Sequence, residues 1–423
     1  MTGGGAFQTH GVNPAGIGLA TTGLASRRSA PTGKWFPQMS VMRCAAIGWL
    51  VSAILLGAGC VHPSQRVESV PDLELVRVIP LPGLTGTRTN VGVPGRIDHF
   101  AFDPVTQRLF VAALENGSLE IIDTGAGRRA RSLAGLSRPQ GAAVIPQRGL
   151  VAVATGGDGR LHLYDTRTLE KRAELEIGPD ADNVRYDGLT DTLLVSHGST
   201  NAGAITILSA STWAGVGRLS FPSRPESFQL DPAGHRLFAN LPEGIRAVKD
   251  GKVAVADRQA RLVGPSLPLP GRARNFPLAY DPAHDRVFVV TRRPARLIVL
   301  DARTGEITGE AACVDDSDDV FFDPVSGCLL VIGGGFRPDL QTPDEKSPCN
   351  PAGDAGAVEV FAVDRAGQPR RAVSVPTAPH ARTGLWVAAR RALYVAVPMR
   401  PGHDAELREY RLRGSLRRDE GGG

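Results

Sequence analysis

Residues 97–127, IDHFAFDPVTQRLFVAALENGSLEIIDTGAG, read as one sentence of structure. A strand runs into Asp103-Pro104, a turn pair that Pro favours through its fixed φ, and a second strand carries the couplet Phe110-Val111. Asn116-Gly117 supplies a hairpin, and Leu119–Asp123 alternates apolar and polar positions before another Gly-rich turn. The same sentence recurs, with its couplet at Phe110, Leu150, Leu194, Phe238, Phe288, Leu330 and Tyr394. Successive spacings of 40, 44, 44, 50, 42 and 64 residues match the roughly 40 to 45 of a four-stranded propeller blade. The expected fold is all-β, a seven-bladed β-propeller.

Outward from the repeat, Asp-Pro returns at 231–232, 281–282 and 323–324, and strand c returns with a terminal acid at Asp165, Asp257 and Asp301 as at Asp123. Those four acids are read as turn formers. Strand interiors are apolar on both faces, so each blade must pack on its neighbours. The seventh repeat runs out of chain after its third strand, whereas LELVRVIPLPG at 73–83 precedes the first repeat and lacks a sheet of its own. That N-terminal strand is therefore expected to close the last blade and hide an edge. Two long spacings mark insertions, one before or around Lys249 to Gln259 and one from Gly334 to Ala355, the latter expected as a surface loop over one mouth of the ring.

The chain has 423 residues and a net charge of +5, which invites a nucleic-acid reading. Four basic residues (Arg27, Arg28, Lys34, Arg43) and no acid fall in residues 1–59, however, leaving 44 basic against 43 acidic residues beyond them. A near-neutral body argues against phosphate-backbone binding, and Trp213, Trp386 and the few tyrosines form no stacking ladder. Residues 42–60, MRCAAIGWLVSAILLGAGC, have the form of an export signal, too short to span a membrane. Leu-Gly-Ala-Gly-Cys at 56–60 resembles a bacterial lipoprotein processing box, with lipid expected on Cys60. The expected organisation is an extension or over-called start at 1–41, the signal at 42–60, a linker at 61–71, the propeller at 72–413 and a tail at 414–423. It implies a periplasmic or outer-membrane-anchored monomer that touches the membrane only through its lipid. In an oxidising compartment one disulfide is possible among Cys313, Cys328 and Cys349, with Cys328–Cys349 tying down the long insertion. Cys-x-x-Cys-His does not occur, which argues against c-type haem.

In a propeller the first strand of every blade lines the channel, so residues at one offset before each couplet form a ring. Twelve residues before stand Asp98, Arg138, Asp182, Glu226, Phe276, Asp318 and Arg382, and eleven before stand His99, Pro139, Asn183, Ser227, Pro277, Asp319 and Thr383. Asn275, Arg185 and His380 lie beside them. Asp98, Asp182, Glu226 and Asp318 could hold a divalent cation such as calcium, with His99, Glu226 or Asp319 as catalytic groups. Alternatively Arg138, Arg185 and Arg382 compensate the acids without metal, and Asn183, Ser227 and Asn275 complete a ligand site. Strand-entry Asp, Asn and Ser also cap their own turns, which needs no ligand at all.

The repeats LFVAALENGSLEIIDTGAG and VFVVTRRPARLIVLDARTGEI resemble the YVTN repeat of YncE-like seven-bladed propellers, over about residues 73 to 412. The blade entries GRIDHFAFD, DADNVRYD, RPESFQLD, RNFPLAYD, DDSDDVFFD and ARTGLWV resemble those of a bacterial exported subgroup. The resemblance implies an extracytoplasmic propeller and transfers no residue-level chemistry. Related propellers include dehydrogenase subunits such as the quinoprotein amine dehydrogenase β chain, lactonases and virginiamycin-type lyases. Two main expectations follow: a module binding a small molecule or protein segment at the channel mouth, or a metal-dependent, lactonase-like hydrolase or lyase using the same acids. A subunit of a redox complex is a third, unsupported by any haem, flavin or quinone-forming motif.

Overall fold

The computed structural model describes residues 71–84, 95–199, 201–242, 250–335 and 355–414. Cys44, Cys60, Cys349, most of the 334–355 insertion and the expected extension, signal, linker (but for Pro71) and tail (beyond Gly414) lie outside them. Seven antiparallel sheets of four strands follow one another along the chain. Blade 1 consists of Phe100–Asp103, Arg108–Ala113, Ser118–Asp123 and Arg128–Ala134, strands a to d from the axis outward. Blades 2 to 6 occupy 139–176, 184–221, 228–268, 273–312 and 317–376. Blade 7 takes Gly384–Val387, Ala392–Val397 and Ala405–Arg413 from the end of the chain and Asp72–Leu81 from its beginning. The ladder from Asp72↔Arg413 to Leu81↔Ala405 is the ring closure that the orphan strand required.

Seven apolar clusters hold the ring, each shared by two consecutive blades, and the one around Ile79, Phe100 and Tyr394 joins blade 7 to blade 1. Couplet side chains Phe110, Leu194, Phe238, Phe288, Leu330 and Tyr394 are all buried in these seams. Outer strands alternate with solvent, as in blade 1, where Arg128–Ala134 buries little. The turn acids do what their positions suggest. Asp103 accepts from Val105 N at 3.0 Å and Thr106 Oγ1 at 2.6 Å, and Asp301 accepts from Arg303 N at 3.0 Å and Thr304 N at 2.8 Å.

Strand pairing corrects the register of the second repeat. In six blades the couplet residue faces the residue nine positions earlier, as in Phe110↔Ala101 and Phe238↔Gln229. In blade 2 that partner pair is Ala152↔Ala143, while Leu150 opens strand b opposite Ile145. The equivalent of Phe110 is therefore Ala152 and not Leu150. Its small side chain hid it behind the bulkier Leu150-Val151.

The ladder narrows the place of the first insertion and fixes which strands both insertions join. Lys252–Asp257 is strand c of blade 4, so the extra residues of that repeat fall in the connection 242–251, which joins strands b and c. The 334–355 insertion joins strands b and c of blade 6. By strand direction both connections leave from the end at which strand a enters. Cys313 and Cys328 are buried.

Candidate functional site

With the corrected register, every strand a enters through two tiers of side chains, two residues apart and so on one face of the strand. Fourteen residues before the couplet position stand Arg96, Arg138, Asp180, Arg224, Arg274, Asp316 and His380; twelve before stand Asp98, Gln140, Asp182, Glu226, Phe276, Asp318 and Arg382. All seven of the second tier, with Arg96, Arg138, Asp180 and Arg224 of the first, line one cavity of about 460 Å³. His99, Arg292, Gly198, Ser199 and Ser223 complete the lining. A cavity that draws on all seven blades lies on the axis.

The outer tier turns the chain inward. Arg138, Asp180, Arg274, Asp316 and His380 have φ between 49° and 64°, a left-handed conformation that costs a non-glycine residue of order 1 kcal/mol and is held here by the strands on either side. Below it, Gly141 lets blades 2 and 3 meet: a Cβ there would stand 2.1 Å from the Asp182 carbonyl oxygen.

The acids of the two tiers do not converge on one point; arginines divide them into two sets. In the first, Arg224 reaches Asp180 at 2.5 Å and Asp182 at 3.4 Å and also pairs with Glu226. Gln140 Nε2 donates to Asp180 at 3.1 Å. In the second, Arg382 spans Asp316 at 2.8 Å and Asp318 at 2.9 Å, Arg292 spans the same two at 3.1 and 2.5 Å, and Arg96 pairs with Asp98 at 3.0 Å. Arg292 also covers the Phe276 ring, 4.1 Å from its centroid, and donates from Nε to the Ser317 carbonyl at 2.8 Å. Arg138 is different, with its side chain 47% exposed and its nearest carboxylate, Asp180, 3.8 Å away.

Protonation follows from this layout. Burial works against a charge on His99, yet Asp319 (3.4 Å) and Asp98 (3.6 Å) overcome it and raise its pKa to about 10. The protonated form of His99, paired with Asp319 and Asp98, is therefore favoured at neutral pH. Burial, with Glu226 and Asp98 nearby, lifts Asp182 to about 7 against the pull of Arg224 and His99. Burial also raises Glu226, its second influence being the opposing Arg224, and it raises Asp319, which accepts from Gly384 N at 2.8 Å. Burial of Asp318 is outweighed by Arg292, Arg382 and Arg96, which hold it far below the usual carboxylate range.

Several residues grouped with this ring from sequence stand outside the cavity. Asn275 donates to Asn240 Oδ1 and to the Lys252 carbonyl, both at 2.9 Å, and belongs to the seam between blades 4 and 5. Asn183 N donates to Ser196 Oγ at 3.0 Å, and the Ser227 carbonyl accepts from Asn240 N at 3.0 Å. Arg185 donates to the Val184 carbonyl at 2.9 Å and lies 5.5 Å from the Phe228 ring centroid. His380 N donates to the Gly334 carbonyl at 2.8 Å, and its side chain is not among the lining.

For a cation, the donors expected from sequence are Asp98, Asp182, Glu226 and Asp318. Each faces a guanidinium, and among the described residues no group of three or more His, Cys, Asp or Glu has a metal-holding arrangement. A divalent ion at this mouth would have to displace Arg224, Arg292 or Arg382.

Sequence reasoning missed Arg96, Asp180, Arg224, Arg274, Asp316, Arg292 and Gln140. All but Arg292 share one arithmetic signal: a second offset, two residues outward, and a register shifted by two in blade 2. Arg292 sits on strand b of blade 5, four residues beyond its couplet, where no ring was sought.

No family model matches this chain, and neither does any curated protein. Among solved structures, a chain of the "Crystal Structure of Mitotic Checkpoint Complex" aligns with TM-score 0.60 and 13% identity, over 86% of this chain and 99% of that one. A chain of Kuenenia stuttgartiensis hydrazine synthase aligns with TM-score 0.62 and 13% identity, over 78% of this chain and 98% of that one. At such identity the likeness speaks for architecture alone, and with the seven sheets above it makes this chain a seven-bladed β-propeller.

Proposed function

We propose that the protein is an extracytoplasmic binding module that holds a small polar molecule or a protein segment in the axial cavity. One observation carries the reading: a cavity of about 460 Å³, within the range of small-ligand sites, lined from every blade and carrying buried charged groups from every blade but the second. Of the lining, Arg96, Arg138, Arg224, Arg292 and Arg382 stand against Asp98, Asp180, Asp182, Glu226 and Asp318, five against five, while His99 pairs with Asp319 at 3.4 Å. A site so balanced favours a ligand rich in hydrogen-bonding groups, neutral or carrying both signs, over a strongly charged one. Arg138, exposed and loosely held, is the group free to close on it. Export by the 42–60 signal and a lipid on Cys60 would place the module in the cell envelope.

The test is native mass spectrometry of protein isolated under mild conditions, followed by thermal-shift titration with amino acids, short peptides, sugars and nucleotides. A bound species lost in Arg138→Ala, or a saturable shift that this substitution abolishes, supports the reading. Absence of both in a folded protein overturns it. The competing metal-dependent hydrolase makes a different prediction, a stoichiometric divalent ion together with lactone or ester hydrolysis that Glu226→Gln removes.

A further inference from the structure

The two ends of the propeller differ in a way unrelated to the cavity. The large apolar side chains that stand exposed among the described residues are Leu75, Val76, Val78, Val105, Leu189, Val216, Leu262 and Val325. All but Val78, which lies in the half of its strand nearer the cavity, lie toward the other end. Val105 (59%), Leu189 (72%) and Val325 (65%) cap the turns between strands a and b of blades 1, 3 and 6, and Leu262 (66%) begins strand d of blade 4 just after the turn from strand c. By strand direction all four turns lie at the end opposite the cavity. Val216, second residue of its outer strand, is near the same end, and Leu75 and Val76 lie in the half of their strand nearest it.

The turns are built to present these residues. Asp103, Asp187 and Asp323 fold under them, 1 to 6% exposed and bonded to the backbone or hydroxyl groups of their own turns, so that the apolar neighbour and not the carboxylate meets solvent. Arg303 and Arg413, with side chains 74% and 67% exposed, stand at the same end.

The chain also enters the propeller there. Asp72 pairs with Arg413, the last residue of strand c, which puts the start of the closing strand on the turn face. Cys60 precedes it by twelve residues, at most about 40 Å of extended chain. A lipid on Cys60 would bring the turn face to the bilayer before the cavity face. We propose that the turn face is a membrane-contacting surface, on which Val105, Leu189, Leu262 and Val325 enter the headgroup region of an anionic bilayer while the axial cavity opens away from it. Apolar tips on four of the seven blades suit an interfacial contact, and Arg303 and Arg413, paired with Asp301 and Glu74, stand exposed beside them.

The full chain, isolated from membranes and reconstituted in phosphatidylethanolamine–phosphatidylglycerol vesicles containing nitroxide lipid, provides the test. In a Cys349→Ser background, single fluorophores are placed at Ala283→Cys on the turn face and at Ser199→Cys on the cavity rim. The proposal expects strong quenching at 283, at least threefold more than at 199, and loss of most of that difference when Val105, Leu189, Leu262 and Val325 are all changed to Asn. Equal quenching at the two sites, quenching at neither, or a pattern that the Asn variant leaves unchanged overturns it. Val105, Leu189, Leu262 and Val325 lie outside the cavity, so the Asn variant should leave ligand binding there unchanged.

Discussion

Arg224 serves three carboxylates at once, and its removal shows what the others cost. Arg224→Met leaves Asp180, Asp182 and Glu226 without their cation and is expected to lose about 3 kcal/mol, the size usual for breaking a buried pair. Adding Glu226→Gln should restore part of that loss, because one uncompensated charge disappears with it. Urea midpoints of the two single variants and the double variant measure this, and strictly additive losses would contradict it. His99 gives the pH dependence. Its folded pKa of about 10 lies above the ordinary 6.5, so its stabilisation is complete below pH 6.5 and is lost as pH rises through 10. Asp182, raised to about 7 from 3.8, keeps its proton in the folded state, so it too makes stability fall as pH rises, between about 4 and 7. Asp318 acts in the opposite sense, its contribution being present above the ordinary carboxylate pKa and lost only in strong acid. Wild type should therefore lose up to about 4 kcal/mol relative to His99→Gln between pH 6.5 and 10. Parallel stability profiles would refute the assignment.

At the scale of the strand, the closing element makes the most specific demand. Ile79 is fully buried between blades 7 and 1, and Ile79→Ala should cost about 2 to 5 kcal/mol, as for a core residue, despite its place in the N-terminal strand. An effect below about 0.5 kcal/mol by chemical denaturation, typical of a surface site, would mean the ring does not close there. This strand was legible in the sequence because blade 7 ended without a fourth strand and 73–83 had no sheet. Blade 2 was not, for a physical reason: Ala152 and Ala143 fill the seam with little side-chain volume, so hydrophobicity pointed to Leu150. That two-residue slip placed Arg138 in the acid tier, where Gln140 belongs. The other six members of that tier were found by spacing alone, since strand a brings one offset to one height. Arg224 sat at the second offset, two residues outward, where no ring was sought, whereas Arg292 on strand b is set by side-chain reach across blades and leaves no period in the chain.

Across the molecule, every apolar cluster belongs to two blades, so no blade keeps its core alone. Ring closure links the last seam to the first. Thermal unfolding should accordingly be a single transition by calorimetry and by tryptophan fluorescence alike, and Ile79→Asp, which opens the ring, should broaden or split it. Coincident sharp transitions in that variant would contradict the role given to closure. The same closure brings charges hundreds of residues apart to one axis, where Arg224, Arg292 and Arg382 pair with the acids. A high-resolution crystallographic map of the axial mouth in protein as isolated tests that claim most directly. Guanidinium density of Arg224 between Asp182 and Glu226, with Arg292 and Arg382 on Asp318, is the result expected; a cation coordinated by Asp98, Asp182, Glu226 and Asp318, with those arginines turned away, would contradict it.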